Sequence, residues 1–303
     1  MARIIYRVRT CVIFNPAARG DKARRFRRHL EEIASRGALK ATAAPGEARR
    51  LAAEAVADGF ELIVAAGGDG TVNEVLNGIG DAPDGFARAR LGVLPLGTVN
   101  VFAREIGLPL RIERAWETLR RGCEARLDLP CVEFSANGAR RRQHFVQLAG
   151  AGLDARAIEL VTWPLKKKFG PLAYIIAGAK ALRERLPKIT TNIGGQTVAG
   201  ELIMIGNGRF YGGPWKIFPR ADLCDGILDV CVLPRANWLT LFRCLPGLLT
   251  RRRLPAGPAQ HFQVSTLELT SNFPVSFELD GEWAGHLPAT FSVTRERLRV
   301  AVP

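Results

Sequence analysis

The 303-residue sequence has no apolar run long enough to cross a bilayer, because the longest, Pro171 to Ala179, falls far short of the roughly 20 residues a helical span needs. It also lacks a secretory leader pattern, since Arg3, Arg7 and Arg9 interrupt the opening MARIIYRVRT. The six cysteines, Cys11, Cys123, Cys131, Cys224, Cys231 and Cys244, form no C-x-x-C pair and have no histidine at metal spacing. That excludes a zinc module and predicts reduced, mostly buried thiols. There is no internal repeat and no low-complexity tract. No G-x-x-x-x-G-K followed by Ser or Thr occurs, which excludes a Walker-type phosphate loop. Acids are scarce: 29 Asp and Glu stand against 43 Lys and Arg, a net charge of +14. Such an excess calls for an anionic partner, whether nucleic acid, an acidic membrane surface or a phosphorylated substrate. The basic runs, such as Arg24-Arg25, Arg140-Arg141-Arg142 and Arg251-Arg252-Arg253, are scattered and no nucleic-acid motif accompanies them. The expectation is therefore a cytoplasmic protein that binds no nucleic acid and meets a membrane from one side at most.

What is present is an ordinary globular composition, 47% hydrophobic and 24% charged, arranged in two rhythms. Over about 120 residues, short apolar runs alternate with amphipathic helical patterns, the signature of a parallel sheet with crossover helices. Strands are expected at Val8 to Phe14, Leu39 to Ala43, Phe60 to Ala65 and Leu91 to Leu94. Between them lie a helix from Asp21 with Phe26, Leu30 and Ile33 inward, and one with Leu51, Ala52, Ala55 and Val56 inward. Further helices are expected at Thr71 to Ile79, Val99 to Ile106 and Ile112 to Arg121. From about Leu127 the pattern becomes period-two, at Leu127 to Phe134, His144 to Leu148, Lys188 to Ile193, Val198 to Ile205, Ile227 to Leu233, His261 to Thr270, Val275 to Leu279 and Ala289 to Val302. Helical inserts at Pro171 to Leu186 and Trp238 to Leu249 interrupt it. The expected fold is α/β plus β: an N-terminal parallel-sheet α/β nucleotide-binding domain, residues 1–126, and a C-terminal antiparallel β-sandwich domain, residues 127–303. The last strand is left open to a return to the first domain.

Three glycine-bearing turns fall at the carboxyl ends of predicted parallel strands, where open α/β sheets bind ligands. The first is Asn15-Pro16 after Phe14, the second Gly67-Gly68-Asp69-Gly70-Thr71, and the third Pro95-Leu96-Gly97-Thr98-Val99-Asn100. A strand that ends in glycines and opens a helix offers bare N–H groups and a helix N-terminus to an anion. Asp69 would repel a naked phosphate, but not one carrying Mg²⁺. The alternative is a tight turn that needs glycine only for its backbone angles. In the β region, Asp222, Asp225 and Asp229 cluster around a turn that either ligates a hard cation or is a polar hairpin. Asp280-Gly281-Glu282 ends a strand, suiting either a general base or a plain turn. Gly150-Ala151-Gly152-Leu153-Asp154-Ala155 imitates a dinucleotide fingerprint but reads as a structural glycine turn, because it comes late in a β-rich region.

Taken in order, these segments resemble the diacylglycerol kinase catalytic-domain family, the bacterial lipid kinases and their sphingosine and ceramide kinase relatives. The residues that carry the resemblance are Asn15-Pro16 with Gly20, Thr42 before Gly46, GGDGTVNEVLNGI at 67 to 79, PLGTVNVFARE at 95 to 105, GNGRFYGG at 206 to 213, Asp225-Gly226-Ile227-Leu228-Asp229-Val230, and Asp280-Gly281-Glu282. GGDGT alone is shared with NAD kinases and phosphofructokinases, whereas the later elements are more specific.

The resemblance implies a lipid kinase with ATP and Mg²⁺ as cofactors and the nucleotide in a cleft between two domains. ATP phosphates would lie against Gly67, Gly68, Asp69, Gly70, Thr71, Val72 and Asn73, with Thr42 and Thr98 lining the pocket and Asn15, Pro16, Gly97 and Asn100 in its turns. Asp69 would organise the catalytic Mg²⁺. A structural Mg²⁺ would take Asp222, Asp225 and the Ile227 carbonyl, and Glu282, ahead of Asp280, would accept the proton. One departure stands out: many relatives have an aspartate where this chain has Val101. The implied partner is a lipid at an anionic membrane surface, with the enzyme peripheral on the inner face, and a homodimer is left open. Candidate membrane contacts are Trp163, Leu165 and Phe169 around Lys166-Lys167-Lys168, and Trp238, Leu241 and Phe242 before the triple arginine. The competing functions are a soluble-substrate kinase of the NAD kinase type and a catalytically inactive membrane-surface binder.

Overall fold

The computed structural model describes residues 8–16, 21–121, 123–161, 172–251 and 257–303. The chain divides into two units, Met1–Leu127 with Glu296–Pro303, and Asp128–Arg295. Gly20, Trp163, Leu165 to Phe169, Arg252 and Arg253 lie outside the described residues, as do the side chains of Leu241 and Arg251.

In the first unit, strands β1 (Thr10–Phe14), β2 (Ala38–Ala41), β3 (Leu62–Gly67) and β4 (Arg90–Pro95) pair in parallel in the order β2-β1-β3-β4. Their crossovers are α1 (Asp21–Arg28) with α2 (Leu30–Ala34), α3 (Glu47–Ala57), and α4 (Asp69–Asp81) with the short α5 (Gly85–Arg88). The sheet is covered by helices, so β3 and β4 read as unbroken apolar runs: Leu62 to Ala66 and Leu91 to Leu94 are all buried. Leu51, Ala52, Ala55 and Val56 of α3 bury as their spacing requires. Past β4, α6 (Val101–Glu105) and α7 (Ile112–Arg121) close the unit, and α7 buries Ile112, Ala115, Trp116 and Leu119. The end of the last strand returns to this unit, where Val300 pairs in parallel with Leu91 and the Arg299 guanidinium forks onto Glu124 at 2.9 Å.

Two local expectations change here. The helix from Asp21 breaks at His29, whose ψ of 0° leaves the α region, so α1 and α2 are separate. The helix expected from Thr71 starts earlier, with Gly68 extended at the N-cap and Asp69 and Gly70 inside the first turn.

The second unit is antiparallel. It contains β6 (Ala139–His144), β7 (Leu148–Gly152), α8 (Leu153–Leu160), α9 (Leu172–Ala181), β8 (Ile189–Ile193), β9 (Gln196–Gly200) and β10 (Leu202–Gly206). Next come β11 (Phe210–Tyr211), β12 (Trp215–Lys216), β13 (Leu228–Leu233), α10 (Trp238–Arg251), β14 (Gln260–Val264), β15 (Thr266–Leu269), β16 (Ser276–Leu279) and β17 (Glu282–His286). The strands β5 (Glu124–Ala136) and β18 (Ala289–Ala301) contribute residues to both units.

A six-stranded sheet runs β14-β13-β10-β7-β16-β17, and β15 pairs β18 while β6 pairs β5 in a second sheet. Phe134 and Phe291 of the second sheet stack edge-on against Phe277 of the first, with ring centroids 5.0 and 5.6 Å apart, at the centre of the sandwich core. Alternate residues of the six-stranded sheet, Ile203, Ile205, Val230 and Val232, face this core. Their neighbours Met204, Cys231 and Leu233 pack on the other side with Leu153, Ala181 and Phe218. Both faces are covered, so β10 and β13 are buried throughout.

The single strand expected at His144 to Leu148 is instead the end of β6 and the start of β7, because the N–H groups of Val146 and Gln147 donate to a carboxylate and not to a ladder. Val198 to Ile205 divides between β9 and β10, and His261 to Thr270 divides at Ser265 where the chain changes sheets. All six cysteines are free and four are buried; burial pushes the Cys11 thiol up to about 11 and Cys231 up to about 12, leaving them inert at neutral pH. Among the described residues no helix is long and apolar enough to cross a membrane.

Candidate active site

The parallel order of the first unit brings the sequence-predicted turns to one edge of its sheet. Asn15 and Pro16 follow β1, Thr42 follows β2 and donates its N–H to Phe14 at 2.9 Å, and the Gly67 and Gly97 turns follow β3 and β4. The last two interlock: Leu96 and Gly97 both donate N–H bonds to the Gly67 carbonyl, and a Cβ on Gly97 would stand 2.5 Å from the Cα of Gly68. Only glycine allows this backbone contact. It sets the N-terminus of α4, with Gly70, Thr71, Val72 and Asn73 in its first turns, beside exposed Thr98. A thirteen-residue helix that opens at this strand edge has uncapped N–H groups for a phosphate, since Gly68 offers no side-chain cap.

Asp69 is half-buried, and its Oδ1 accepts the N–H of Phe102 at 3.2 Å, in the first turn of α6. Burial raises the Asp69 carboxyl above its usual range, opposed by backbone N–H bonds from Val101, Phe102 and Asn100. A carboxylate with this burial cost fits beside a cation, which would restore the ionised form. Val101 occupies the first position of α6, so no second carboxylate is contributed there. Asn100 precedes it with a left-handed φ of 53°, held by its side-chain amide donating to the Gly97 carbonyl at 2.7 Å, while its buried Oδ1 has no donor.

In the second unit the Asp280-Gly281-Glu282 turn joins β16 to β17. Asp280 has φ 51°, and its carboxylate accepts three backbone N–H bonds, from Val146 at 3.0 Å, Gln147 at 2.9 Å and Leu148 at 3.1 Å. These bonds bind the turn to the β6–β7 connection. Glu282 is exposed. Beneath the turn, Glu278 is fully buried, its Oε2 accepting the Gly281 N–H at 2.6 Å. Beside it Asp154 accepts the Tyr211 hydroxyl at 2.5 Å.

The late acidic turn is ordered by its own backbone. Asp222 accepts the Cys224 N–H at 3.0 Å, Asp225 accepts the Ile227 N–H at 2.9 Å, and buried Asp128 accepts the Gly226 N–H at 2.7 Å. Among the described residues no three His, Cys, Asp or Glu side chains are grouped to hold a metal. A cation here would rest on two carboxylates and backbone carbonyls such as that of Ile227, an all-oxygen set of the kind Mg²⁺ takes.

Residues 9–132 match the family described as the diacylglycerol kinase catalytic domain, and residues 147–302 match the YegS C-terminal NAD kinase beta sandwich-like domain. The diacylglycerol kinase of Bacillus subtilis (strain 168) is 30% identical over 306 residues, covering 97% of this chain and 96% of the relative. The chain belongs to the diacylglycerol kinase family. The diacylglycerol kinase of Staphylococcus saprophyticus is 29% identical over 98% of this chain and 96% of its own length. A crystal structure of a diacylglycerol kinase from Bacillus anthracis str. Sterne shares the fold, with a TM-score of 0.76 and 23% identity over 98% of this chain and 97% of that one. Membership implies a lipid kinase, a phosphotransferase that uses ATP.

Several residues that order these turns and helix ends escape sequence reading. Glu74 of the GGDGTVNE segment accepts the N–H groups of Gly46 and Ala48, each at 3.0 Å, and so caps α3 from a neighbouring helix. Asp128 holds the late acidic turn from β5. Asp154 and Glu278 meet under the Asp280 turn. The available signal for the last pair was an isolated acid inside each of two apolar runs, Gly150 to Ala155 and Val275 to Leu279. The Gly150 to Gly152 segment is the end of β7, and the turn into α8 comes at Gly152 with φ 86°.

Proposed function

We infer that this chain transfers the γ-phosphate of ATP to the hydroxyl of a membrane lipid of the diacylglycerol type. The observation that carries the reading is the Gly68–Gly97 contact, which aligns two glycine turns and the N-terminus of α4 on one sheet edge. ATP phosphates lie against the amides of Gly67 to Asn73, and Thr42, Thr98, Asn15, Pro16 and Asn100 surround the nucleotide. When bound, Mg²⁺ neutralises charge on the phosphate oxygens; Asp69 is the residue that would hold it, with Asp222, Asp225 and Ile227 available to a second, structural ion. Glu282 accepts the proton of the attacking hydroxyl, and Asp280 fixes the turn that presents it. The net charge of +14 and the exposed Trp238, Leu239 and Phe242 of α10 support action at the anionic inner face of a membrane.

The test is transfer of radiolabelled phosphate from ATP to a panel of lipids in mixed vesicles, with NAD as a soluble acceptor. The reading expects a phosphorylated lipid whose formation requires vesicles and fails in Asp69→Ala and Glu282→Ala. Phosphorylated NAD formed without vesicles would favour the soluble-substrate alternative. Vesicle binding without any phosphotransfer would favour an inactive surface binder.

A further inference from the structure

Two carboxyl groups from separate elements converge in the interior of the second unit. Glu278 lies on β16 and is completely excluded from solvent; Asp154 lies in the first turn of α8. Two of their four oxygens have a donor. Glu278 Oε2 accepts the Gly281 N–H and Asp154 Oδ1 accepts the Tyr211 hydroxyl. The two that remain, Glu278 Oε1 and Asp154 Oδ2, are buried and have no donor. Both reach the same place, above the Cα of Gly150, where a Cβ would stand 2.5 Å from Asp154 Oδ2 and 2.9 Å from Glu278 Oε1. Gly150 is therefore the residue that leaves room for them.

Two ionised carboxylates brought this close, with both facing oxygens buried, would repel, and neither could donate to the other. One proton between them removes a charge and supplies the missing donor to both oxygens at once. We propose that Asp154 and Glu278 share a single proton, and that this protonated pair is the positioning element that holds the Asp280-Gly281-Glu282 turn through the Gly281 N–H. The positioning half rests on the kinase reading above; the shared proton does not.

The titratable groups facing the pair are consistent with this. Tyr211 of β11 donates to Asp154, and Asp280 beyond β16 adds a negative charge that disfavours a second one. From β7 the neighbour is Gly150, which brings no charge, and Glu282 at the start of β17 is exposed. On α8 itself, Arg156 is engaged with Glu159 and Glu184, and Glu159 accepts the Ser276 hydroxyl. Burial is the main cause that raises both carboxyls, with Asp154's charge the next cause for Glu278. A carboxyl held protonated in the folded state and ionised in the unfolded one makes the folded state bind one more proton. Stability then falls as pH rises above the ordinary carboxylate range, until the folded pair ionises.

The experiment is urea unfolding of the full chain from about pH 5 to about pH 9, comparing the parent with Glu278→Gln and Asp154→Asn, with an expected divergence of about tenfold in unfolding constant per pH unit. Glutamine keeps the acceptor for Gly281 and supplies a permanent donor to Asp154, so its curve loses that slope and the parent is left behind at high pH. Asp154→Asn tests the same proton from the other partner. Curves parallel to the parent in both variants would overturn the shared proton. For the positioning role, phosphotransfer to vesicle lipid is followed against pH: Glu278→Ala is expected to lower kcat at unchanged KM for ATP, and Glu278→Gln to recover it and extend activity to higher pH. Equal activity in Glu278→Ala and the parent would overturn that role. An inactive parent would remove it together with the kinase reading, while the unfolding curves still decide whether the proton is shared.

Discussion

Gly97 and Gly68 approach so closely that a Cβ on Gly97 would lie 2.5 Å from the Cα of Gly68 and 2.7 Å from Asn100 Oδ1. Real Cβ atoms do not tolerate such contacts with backbone. Gly97→Ala must push the two turns apart, and overpacking of this kind costs about 1–3 kcal/mol. The displaced turn carries the N-terminus of α4. The expected outcome is a lower melting temperature together with loss of the melting shift that MgATP gives the parent. A variant that melts lower but keeps the full nucleotide shift would separate this contact from phosphate binding.

Asp69 is pulled in two directions: burial favours its neutral form, while N–H groups of α6 favour the carboxylate. Burial wins, so its folded-state pKa is raised. An acid with a raised folded pKa binds protons better when folded, and its contribution to stability declines as pH climbs from the ordinary carboxylate range through the folded value. Asp69→Asn keeps an oxygen to accept the Phe102 N–H and removes that decline. It is expected to be no less stable than the parent at neutral pH in urea unfolding, yet about a hundredfold or more slower in phosphotransfer. A variant as active as the parent would remove Asp69 from the chemistry.

The two carboxylates of the Asp280 turn should part company on mutation. Asp280→Ala leaves three backbone N–H groups without their acceptor, and a loss of about 2–4 kcal/mol is expected, seen in the unfolding midpoint. Glu282→Gln touches an exposed side chain and should change stability by less than about 0.5 kcal/mol. Its kcat should fall by about 10²–10⁴, with little change in ATP affinity. If Asp280→Asn keeps the parent's stability and loses all activity, while Glu282→Gln stays active, the roles of the two residues are reversed.

Where the local pattern and the tertiary environment agree, the elements were legible in the sequence. The helix expected at Ile112 to Arg121 is α7 with the same bounds, and the glycine turns at 67 and 97 announced themselves by composition. The breaks were not legible where a distant group intervened. Phe145 to Gln147 looks like a strand, and it stops being one because Asp280, more than a hundred residues on, takes the N–H groups of Val146 and Gln147. Ser265 ends one strand and begins another because its flanks join different sheets, a choice that alternation alone does not encode. The site divides along the same line. Asp69 sits in a motif, whereas Asp154 and Glu278 are each a lone acid whose meaning appears only when the fold brings them over Gly150.

Helix α10 carries Trp238, Leu239 and Phe242 at 53%, 66% and 72% exposure within little more than one turn, a cost in water that scattered surface residues do not incur. Exposed Arg235 and Arg243 flank them, and from Pro234 to Arg253 the sequence contains no acid. Apolar side chains on a segment whose charged residues are all arginines match an anionic lipid interface, where the rings enter the headgroup layer and the guanidinium groups meet phosphate. Each large side chain withdrawn from water contributes about 1.5–3 kcal/mol when fully buried. Replacing Phe242 and Leu239 by Ser should therefore reduce sedimentation with phosphatidylglycerol-containing vesicles at least about tenfold, allowing for partial insertion. Trp238 fluorescence should shift to the blue on vesicle addition in the parent and much less in the double variant. Binding should weaken with salt, because the basic contribution is screened over about 10 Å at 0.1 M. Phosphotransfer to a short-chain lipid dissolved below its aggregation threshold should be unaffected by the same substitutions. If the double variant binds vesicles as well as the parent, this helix is not the membrane contact.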